Sequence, residues 1–299
     1  MRKFPVVPLA FGYDTQIRDC VDSRWEIAMS MIYVQPRIWK SGGIAEHAEY
    51  CFKDFLNFAN EHGCNLELGT FAYANALDSN WRSLVRSHQH ALSTFKGKVS
   101  VHGVFQDICI HSNDSKIAKV SKQRIRRNMD IAQSLSAKYV VFHANFNPFV
   151  YGDLYRSNWI ARNADFWREI LDSYEATVLL ENFWESSPEI FNALLKEVNM
   201  PRLRVCLDTG HINAFSKVPM EEWVAKLENQ IPYMHFSDNT GKSDQHLQIG
   251  NGNINWQVLT VALKKHNVNP EVVLETETIK KTDESLRYLE TNKIYPFKI

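Results

Sequence analysis

Six short apolar runs in this sequence lead into a residue that can bind a metal or move a proton. VSVH and VVFH end in histidine, and VLLE, VCLD and VVLE end in a carboxylate, whereas the histidine of YMHF is flanked by apolar residues. An unpaired carboxylate is expensive to bury, and coordination of a divalent cation is one way to compensate for that cost. Mixed carboxylate and imidazole ligands suit manganese, cobalt, magnesium or zinc. The six residues are His102, His143, Glu181, Asp208, His235 and Glu275.

Each of these residues also has an ordinary structural interpretation. Glu181 could form a buried ion pair, Asp208 could cap a helix, and a lone His235 would usually be a core histidine. The cost of burying a carboxylate favours metal coordination for Glu181 and Asp208. The company of these strand-end carboxylates favours the same interpretation for His235. Glu277 lies two residues after Glu275, so both side chains would point to the same face of a strand. Glu275 ends the apolar run directly and is the preferred candidate.

Further polar residues lie close to these strand ends in the sequence. His102 and His143 could equally well be ligands of a second metal or side chains that bind the substrate. His211 follows the VCLD run on the adjoining turn. Asp244 and His246 lie in a polar loop, SDQHLQIGNGN, whose two glycines predict a backbone folded tightly near a ligand.

Aromatic residues follow the chemical residues, and they could form either the apolar wall of a substrate pocket or ordinary buried packing. These aromatic residues are Phe146, Phe149, Phe183 and Trp184. The other histidines lie away from the strand ends and are predicted to be structural or exposed. They are His47, His62, His88, His90, His111 and His266.

The elements that must position these residues alternate along the chain. Short β-rich apolar runs are followed by longer segments with helical periodicity, a pattern typical of a parallel sheet. The predicted strands are 28–34, 64–70, 98–104, 138–144, 177–182, 203–208, 232–237 and 271–277. The predicted helices include 44–62, which Gly63 ends, and 119–136, 158–174, 188–198, 219–229, 255–266 and 282–292.

Eight such units in 299 residues predict an α/β fold that closes into a single (β/α)8 TIM barrel. An open doubly wound sheet is the alternative, but no GxGxxG or P-loop motif follows an early strand. Residues 1–24 fit no βα unit. We therefore expect a short N-terminal extension over 1–24, packed on a barrel that spans 25–299. In such a barrel the polar strand ends converge on one mouth.

Composition excludes several classes of protein. Lys+Arg and Asp+Glu both total 34, so the net charge is zero and a polyanionic partner such as nucleic acid is not favoured. Five widely spaced cysteines without a CxxC motif indicate reduced thiols, and the proline-broken N-terminus does not resemble a signal peptide. No apolar run reaches the roughly 18 residues of a membrane span. We expect a cytoplasmic protein.

Covalent nucleophilic catalysis has little support in the sequence. There is no GxSxG motif, and no cysteine has a base paired with it by spacing. The basic KQRIRR segment, 122–127, most simply forms the solvent face of a helix, although it could also contact phosphates.

In this combination and order, the strand-end motifs resemble those of the xylose isomerase-like barrels. That group joins sugar and sugar-phosphate isomerases and epimerases with endonuclease IV. The resemblance runs from about residue 64 to 278. It rests on VSVHGVF, VVFHANF, LLENFWESSPE, VCLDTGHINAF, MHFSDNTGKSDQHLQIGNGNINW and VVLETE.

The isomerase and epimerase branch implies one divalent metal held by Glu181, Asp208, His235 and Glu275. It also implies that Glu181 and Glu275 move protons on opposite faces of the substrate. A metal on the oxygens of an α-hydroxy carbonyl compound stabilises the enediolate that forms when a carboxylate removes the adjacent proton. Returning the proton from the other side gives an epimer, and returning it at the neighbouring carbon gives an isomer.

The same resemblance implies that His211 and Lys242 bind substrate oxygens. Epimerases usually have an arginine shortly after the strand-seven histidine, and here that loop offers Lys242, which leaves the substrate type open. The full set of candidate substrate-binding residues is His102, His143, His211, Lys242, His246 and Trp184.

The endonuclease IV branch uses three zinc ions held by nine residues, and all nine residue types can be matched here. Against it, His102 is followed by Gly-Val-Phe where those endonucleases prefer Tyr after Pro, and the first 60 or so residues do not resemble their DNA-contacting loops. HFSDNTG and GNGNINW resemble the sugar-processing members. The nine residues are His102, His143, Glu181, Asp208, His211, His235, Asp244, His246 and Glu275.

The sequence therefore predicts a metal-dependent isomerase or epimerase of a small sugar or sugar phosphate. The alternative is a trinuclear zinc phosphodiesterase acting on abasic DNA. A metal-dependent dehydratase or lyase, and a barrel that binds a ligand without converting it, are further alternatives. Substrate identity, metal identity and any assembly into a homo-oligomer stay open.

Overall fold

Eight parallel strands form a closed barrel in the computed structural model, which describes residues 32–34, 44–150 and 152–297. The first strand pairs with the last as well as with the second, and this closes the sheet. The strands are β1 (Ile32–Val34), β2 (Asn65–Leu68), β3 (Val99–His102), β4 (Tyr139–His143), β5 (Thr177–Glu181), β6 (Leu203–Asp208), β7 (Tyr233–Phe236) and β8 (Glu271–Leu274). The predicted (β/α)8 barrel is confirmed.

Helices connect successive strands and form the outer layer. They are α1 (Ile44–His62), α2 (Ala74–Asp78), α3 (Trp81–Ala91), α4 (Ser115–Ser134), α5 (Asp153–Ser173), α6 (Glu189–Val198), α7 (Thr209–Phe215), α8 (Met220–Leu227), α9 (Trp256–Lys265) and α10 (Ile279–Thr291). Gly63 follows α1 with a φ of 69°, as expected for a glycine that ends a helix. The sequence prediction did not include α2, α3 and α7.

Every observed strand lies within a predicted one, because barrel strands are buried on both faces and appear as continuous apolar runs. Side chains on the outer face of the strands pack against the helices, where Phe142 lies 5.5 Å from Trp167 between ring centroids. Inward-facing side chains fill the barrel in layers. That inner cluster comprises Tyr33, Tyr139, Val141, Leu179, Cys206, Tyr233 and Val273.

The amino end of the barrel is held by a polar cluster around Glu271, the first residue of β8. Its carboxylate accepts hydrogen bonds from Tyr33 Oη at 2.6 Å, Lys98 Nζ at 3.0 Å and Lys138 Nζ at 2.8 Å. These contacts join β8 to β1 and to the starts of β3 and β4. The candidate site lies at the opposite, carboxyl end of the strands.

Residues 1–24, predicted as an extension packed on the barrel, lie outside the described residues. None of the helices in the described part of the chain combines the length and apolar character needed to cross a bilayer.

Candidate metal centre at the barrel mouth

Four strand ends place three carboxylates and one imidazole around a common point. Glu181 ends β5, Asp208 ends β6, His235 lies in β7, and Glu275 follows β8 directly. Asp208 and His235 are register partners on neighbouring strands, so both side chains point into the barrel. All four residues are at most 1% exposed, and one donor atom from each lies within 4.8 Å of the others.

His235 lies at the centre of this group. Its Nδ1 is 3.1 Å from Glu275 Oε1, 3.2 Å from Glu181 Oε1 and 4.0 Å from Asp208 Oδ2. Asp208 Oδ1 accepts the backbone N–H of His211 at 2.5 Å and so caps α7. Its other oxygen, Oδ2, is buried and has no hydrogen-bond donor among the described residues. A buried carboxylate oxygen that lacks a donor fits a cation ligand, so the donor set suits a divalent metal.

The ionisation of the group reflects its crowded negative charge. Burial and the neighbouring Glu275 and Glu181 carboxylates raise the pKa of Asp208 above its usual range. Burial opposes ionisation of Glu181 too, but the nearby imidazoles of His235 and His143 hold the pKa of that carboxyl well below its ordinary value. Burial alone would lower the pKa of His235, yet the surrounding acidic groups raise it. A bound cation would compensate the excess negative charge.

Two more histidines lie close to the second carboxylate oxygen of Glu181. His102 Nε2 and His143 Nε2 each lie 3.2 Å from Glu181 Oε2. His102 Nδ1 donates to the carbonyl of Gly103 at 2.9 Å, which directs its Nε2 towards the site. Glu181, His102 and His143 therefore form a second group whose donor atoms lie within 4.8 Å of one another.

A third group lies nearer the mouth and comprises His211, Asp244 and His246. His246 Nε2 is 2.7 Å and His211 Nε2 is 3.5 Å from Asp244 Oδ2. His211 Nδ1 donates to the carbonyl of Asn182 at 2.8 Å, which orients its ring. The structure thus brings all nine strand-end and loop candidates into three adjoining groups.

The loop that carries Asp244 and His246 is built around another buried carboxylate. Asp238 accepts hydrogen bonds from the backbone N–H groups of Asn239, Gly250 and Ile254 and from Trp256 Nε1, at 2.9 to 3.3 Å. A Cβ on Gly252 would lie 2.1 Å from Asp238 Oδ1. Gly252 is therefore required for packing on Asp238, whereas a Cβ on Gly250 would lie 2.4 Å from the ring of Tyr288. Close approach of this loop to a ligand stays a prediction.

A cavity of about 1200 Å³ opens above these groups. Glu181 lines it directly, together with Phe105, Phe183 and the 42% exposed Trp184. Of the aromatic residues that follow the strand ends, Phe183 and Trp184 line this cavity, while Phe149 is largely exposed. Lys242 is exposed on the neighbouring loop and does not line this cavity.

The cavity lining also includes His111, which the sequence places among the histidines predicted to be structural or exposed. His111 lies beside Cys109, with 3.5 Å between Nε2 and Sγ, and both line the outer part of the cavity. Burial and the nearby Arg162 guanidinium lower the pKa of His111 to about 4, so its ring is neutral at physiological pH.

Two fully buried carboxylates near the site were not predicted. Glu67, in the middle of β2, lies 3.2 Å from His235 Nε2. Glu185 accepts the backbone N–H groups of Phe146 at 2.9 Å and Phe183 at 2.7 Å, joining the loops after β4 and β5. Glu67 could have been found, because the apolar run NLEL encloses a carboxylate. Glu185 lies in a loop without any such pattern.

Residues 59–292 match the family described as the xylose isomerase-like TIM barrel, which is more than half of the chain. This chain belongs to that family. Two uncharacterized proteins of Methanocaldococcus jannaschii are similar in sequence. MJ1614 is 26% identical over 232 residues, covering 77% of this chain and 88% of its own length. MJ1311 is 28% identical over 212 residues, covering 66% and 71% respectively.

Solved structures share the same fold. A D-tagatose 3-epimerase-like protein superposes with a TM-score of 0.69 at 22% identity, covering 87% of this chain and 96% of that one. The TTHB071 protein from Thermus thermophilus, soaked with ZnCl2, has a TM-score of 0.67 at 23% identity over 80% and 92%. A D-allulose 3-epimerase from Methylomonas sp., in complex with D-allulose, has a TM-score of 0.65 at 17% identity over 83% and 84%.

Proposed function

We propose that this protein is a divalent-metal-dependent isomerase or epimerase that acts on a small sugar. The observation that carries the proposal is the group of Glu181, Asp208, His235 and Glu275, whose donor atoms lie within 4.8 Å of one another and whose member Glu181 lines a large cavity. The names of similar structures, a D-tagatose 3-epimerase-like protein and a D-allulose 3-epimerase, support the same chemistry.

These four residues would hold one divalent metal through three carboxylates and the Nδ1 atom of His235. A metal bound there supplies stabilisation for negative charge on the two oxygens of an α-hydroxy carbonyl compound. The mixed oxygen and nitrogen donors suit manganese, cobalt, magnesium or zinc.

Glu181 is the carboxylate best placed to remove a proton from the substrate carbon. It is the member of the four that lines the cavity, and its lowered pKa keeps it ionised and able to accept a proton at neutral pH. Glu275 approaches from β8, three strands away around the barrel, and lies beneath His246 with 3.6 Å between Oε2 and Nδ1. Two carboxylates on different sides of the bound carbon suit removal of a proton from one face and its return to the other.

The walls favour an uncharged sugar over a sugar phosphate. Among the described residues that line the cavity there are the carboxylates of Asp107, Glu181, Asp244 and Glu277 but no lysine or arginine. Acidic walls repel a phosphate, whereas the rings of Phe183 and Trp184, 4.6 Å apart between centroids, can stack on the C–H face of a sugar.

The test is proton exchange at the substrate carbon. Protein supplied with Mn²⁺ is incubated in D2O with a panel of ketopentoses and ketohexoses, free and phosphorylated, and NMR follows deuterium incorporation next to the carbonyl. We expect exchange with a free ketose, reduced about 10²- to 10⁴-fold in Glu181→Gln and in Glu275→Gln. Glu61→Gln, on the exposed face of α1, is the matched control and should keep the parental rate. Parental exchange rates in both site variants would refute the proposal.

A second candidate is a trinuclear zinc phosphodiesterase acting on abasic DNA. The observation that favours it is the third group, His211, Asp244 and His246, which adds three potential ligands to the other six. Clustered metals suit phosphodiester hydrolysis because they neutralise charge and activate water.

Metal stoichiometry distinguishes the two candidates. Elemental analysis of protein purified without chelator or added metal should give one metal per chain under the first proposal, unchanged in Asp244→Ala and His246→Ala. Two or three zinc ions, one of them lost in these variants, together with binding of an abasic-site duplex at low salt, would favour the nuclease.

A further inference from the structure

Below the metal group, the barrel interior contains a carboxylate that the proposed reaction does not use. Glu67 is fully buried in the middle of β2. Its register partner on β3 is Ser100, so both side chains point into the barrel. Burying a carboxylate at this depth is costly unless specific groups compensate for it, so the contacts of Glu67 indicate its purpose.

Glu67 is surrounded by hydrogen-bond donors from two other strands. Tyr233 Oη donates to Glu67 Oε2 at 3.0 Å, and Ser100 Oγ lies 2.7 Å from Tyr233 Oη and 3.4 Å from the same carboxylate oxygen. On the side of the mouth, His235 Nε2 lies 3.2 Å from Glu67 Oε1. The two hydroxyls thus hold the carboxylate from below, and the imidazole lies above it.

The two nitrogens of His235 therefore face different partners. Nδ1 faces Glu181 and Glu275 at 3.2 and 3.1 Å, in the group proposed to hold the metal. Nε2 faces Glu67. A hydrogen bond from Nε2–H to a carboxylate fixes the tautomer and orientation of a histidine, and it makes the other nitrogen a better metal ligand.

We propose that Glu67 is a positioning residue that accepts the Nε2–H of His235 and so presents Nδ1 of that histidine to the metal. The inference rests on the metal site proposed above. Under this inference, the buried cluster of Glu67, Tyr233 and Ser100 increases the affinity of the site for metal. A purely structural cluster would only provide hydrogen-bond partners for its own buried groups and would leave metal affinity unchanged.

The test compares two carboxylates inside the same barrel. Glu67→Gln keeps the size and one acceptor oxygen but removes the charge beneath His235. Glu271→Gln is the matched control, because Glu271 is also held by a tyrosine hydroxyl but lies at the amino end of the barrel. Mn²⁺ affinity is measured by calorimetric titration of the metal-free proteins. The visible spectrum of each Co²⁺-loaded protein reports on the ligand geometry.

We expect Glu67→Gln to weaken Mn²⁺ binding by about 10- to 100-fold and to alter the Co²⁺ spectrum, while Glu271→Gln keeps the parental affinity and spectrum. Equal affinities for Glu67→Gln and the parent, or equal losses in both variants, would overturn the inference. A parent that binds no Mn²⁺ would instead refute the metal site itself. If Glu67→Gln does not fold, Tyr233→Phe should weaken Mn²⁺ binding by a smaller factor, and parental affinity in that variant would overturn the inference.

Discussion

Replacing Asp208 with asparagine should stabilise the metal-free protein and remove its thermal response to metal. Asparagine keeps the Oδ1 that accepts the N–H of His211, so the cap of α7 is preserved. The substitution replaces Oδ2, which is buried without a donor among the described residues, by an amide that can donate to the neighbouring carboxylates. At pH values above the raised pKa of Asp208, about 8, it also removes a negative charge from a group in which carboxylates repel one another.

The size of the effect follows from the cost of a buried acceptor without a donor, about 1–3 kcal/mol. Unfolding entropy is about 2.1 cal/mol/K per residue, which gives about 0.6 kcal/mol/K for a chain of 299 residues. The melting temperature in EDTA should therefore rise by about 2–5 °C. Mn²⁺ at 100 times its Kd should stabilise the parent by about 2.7 kcal/mol, or about 4 °C, and the variant much less.

The pH dependence supplies a second readout. The pKa of Asp208 is raised in the folded state, so its contribution to stability is full below its unfolded pKa of about 3.9 and is lost as pH rises towards about 8. Melting temperatures in EDTA should fall across this range in the parent and fall less in Asp208→Asn. Circular dichroism melts at several pH values measure both effects. A lower melting temperature for the variant in EDTA, or a metal-induced shift as large as the parent's, would refute the reasoning.

Three further predictions concern the loops and walls of the site. Gly252→Ala should lower the free energy of unfolding by about 1–3 kcal/mol and increase proteolysis within 238–256, because its Cβ would collide with Asp238. Gly63→Ala has open space around its Cβ and should leave proteolysis within 238–256 unchanged. Glu185→Gln should cost about 1–3 kcal/mol in urea unfolding, since an amide oxygen cannot replace both acceptors for the two backbone N–H groups; equal stability would contradict this. Trp184→Ala should raise KM for the free ketose about 3- to 10-fold with little change in kcat, because the substrate loses ring stacking worth about 0.5–1.5 kcal/mol. A fall in kcat with an unchanged KM would argue against a role of Trp184 in the cavity wall.

The order of elements and most of the site were predictable from local patterns. Strands of a closed parallel barrel are buried on both faces, so they appear as apolar runs, and a polar residue at the carboxyl end of such a run marks the mouth. That pattern identified Glu181, Asp208, His235 and Glu275, which the structure brings together. It also favoured Glu275 over Glu277, which is exposed and paired with Lys281.

The tertiary structure decided the features that depend on closure and on loop paths. Glu67 lies beneath His235 only because β2 and β7, far apart in sequence, face each other across the barrel. His111 lines the cavity because the chain after β3 folds back over the mouth, and Gly252 packs on Asp238 through a loop whose path no periodicity encodes. Periodicity in a sequence records which way each side chain points along its own strand or helix. Partners from other strands are set by register, barrel closure and loop geometry, which have no local signature.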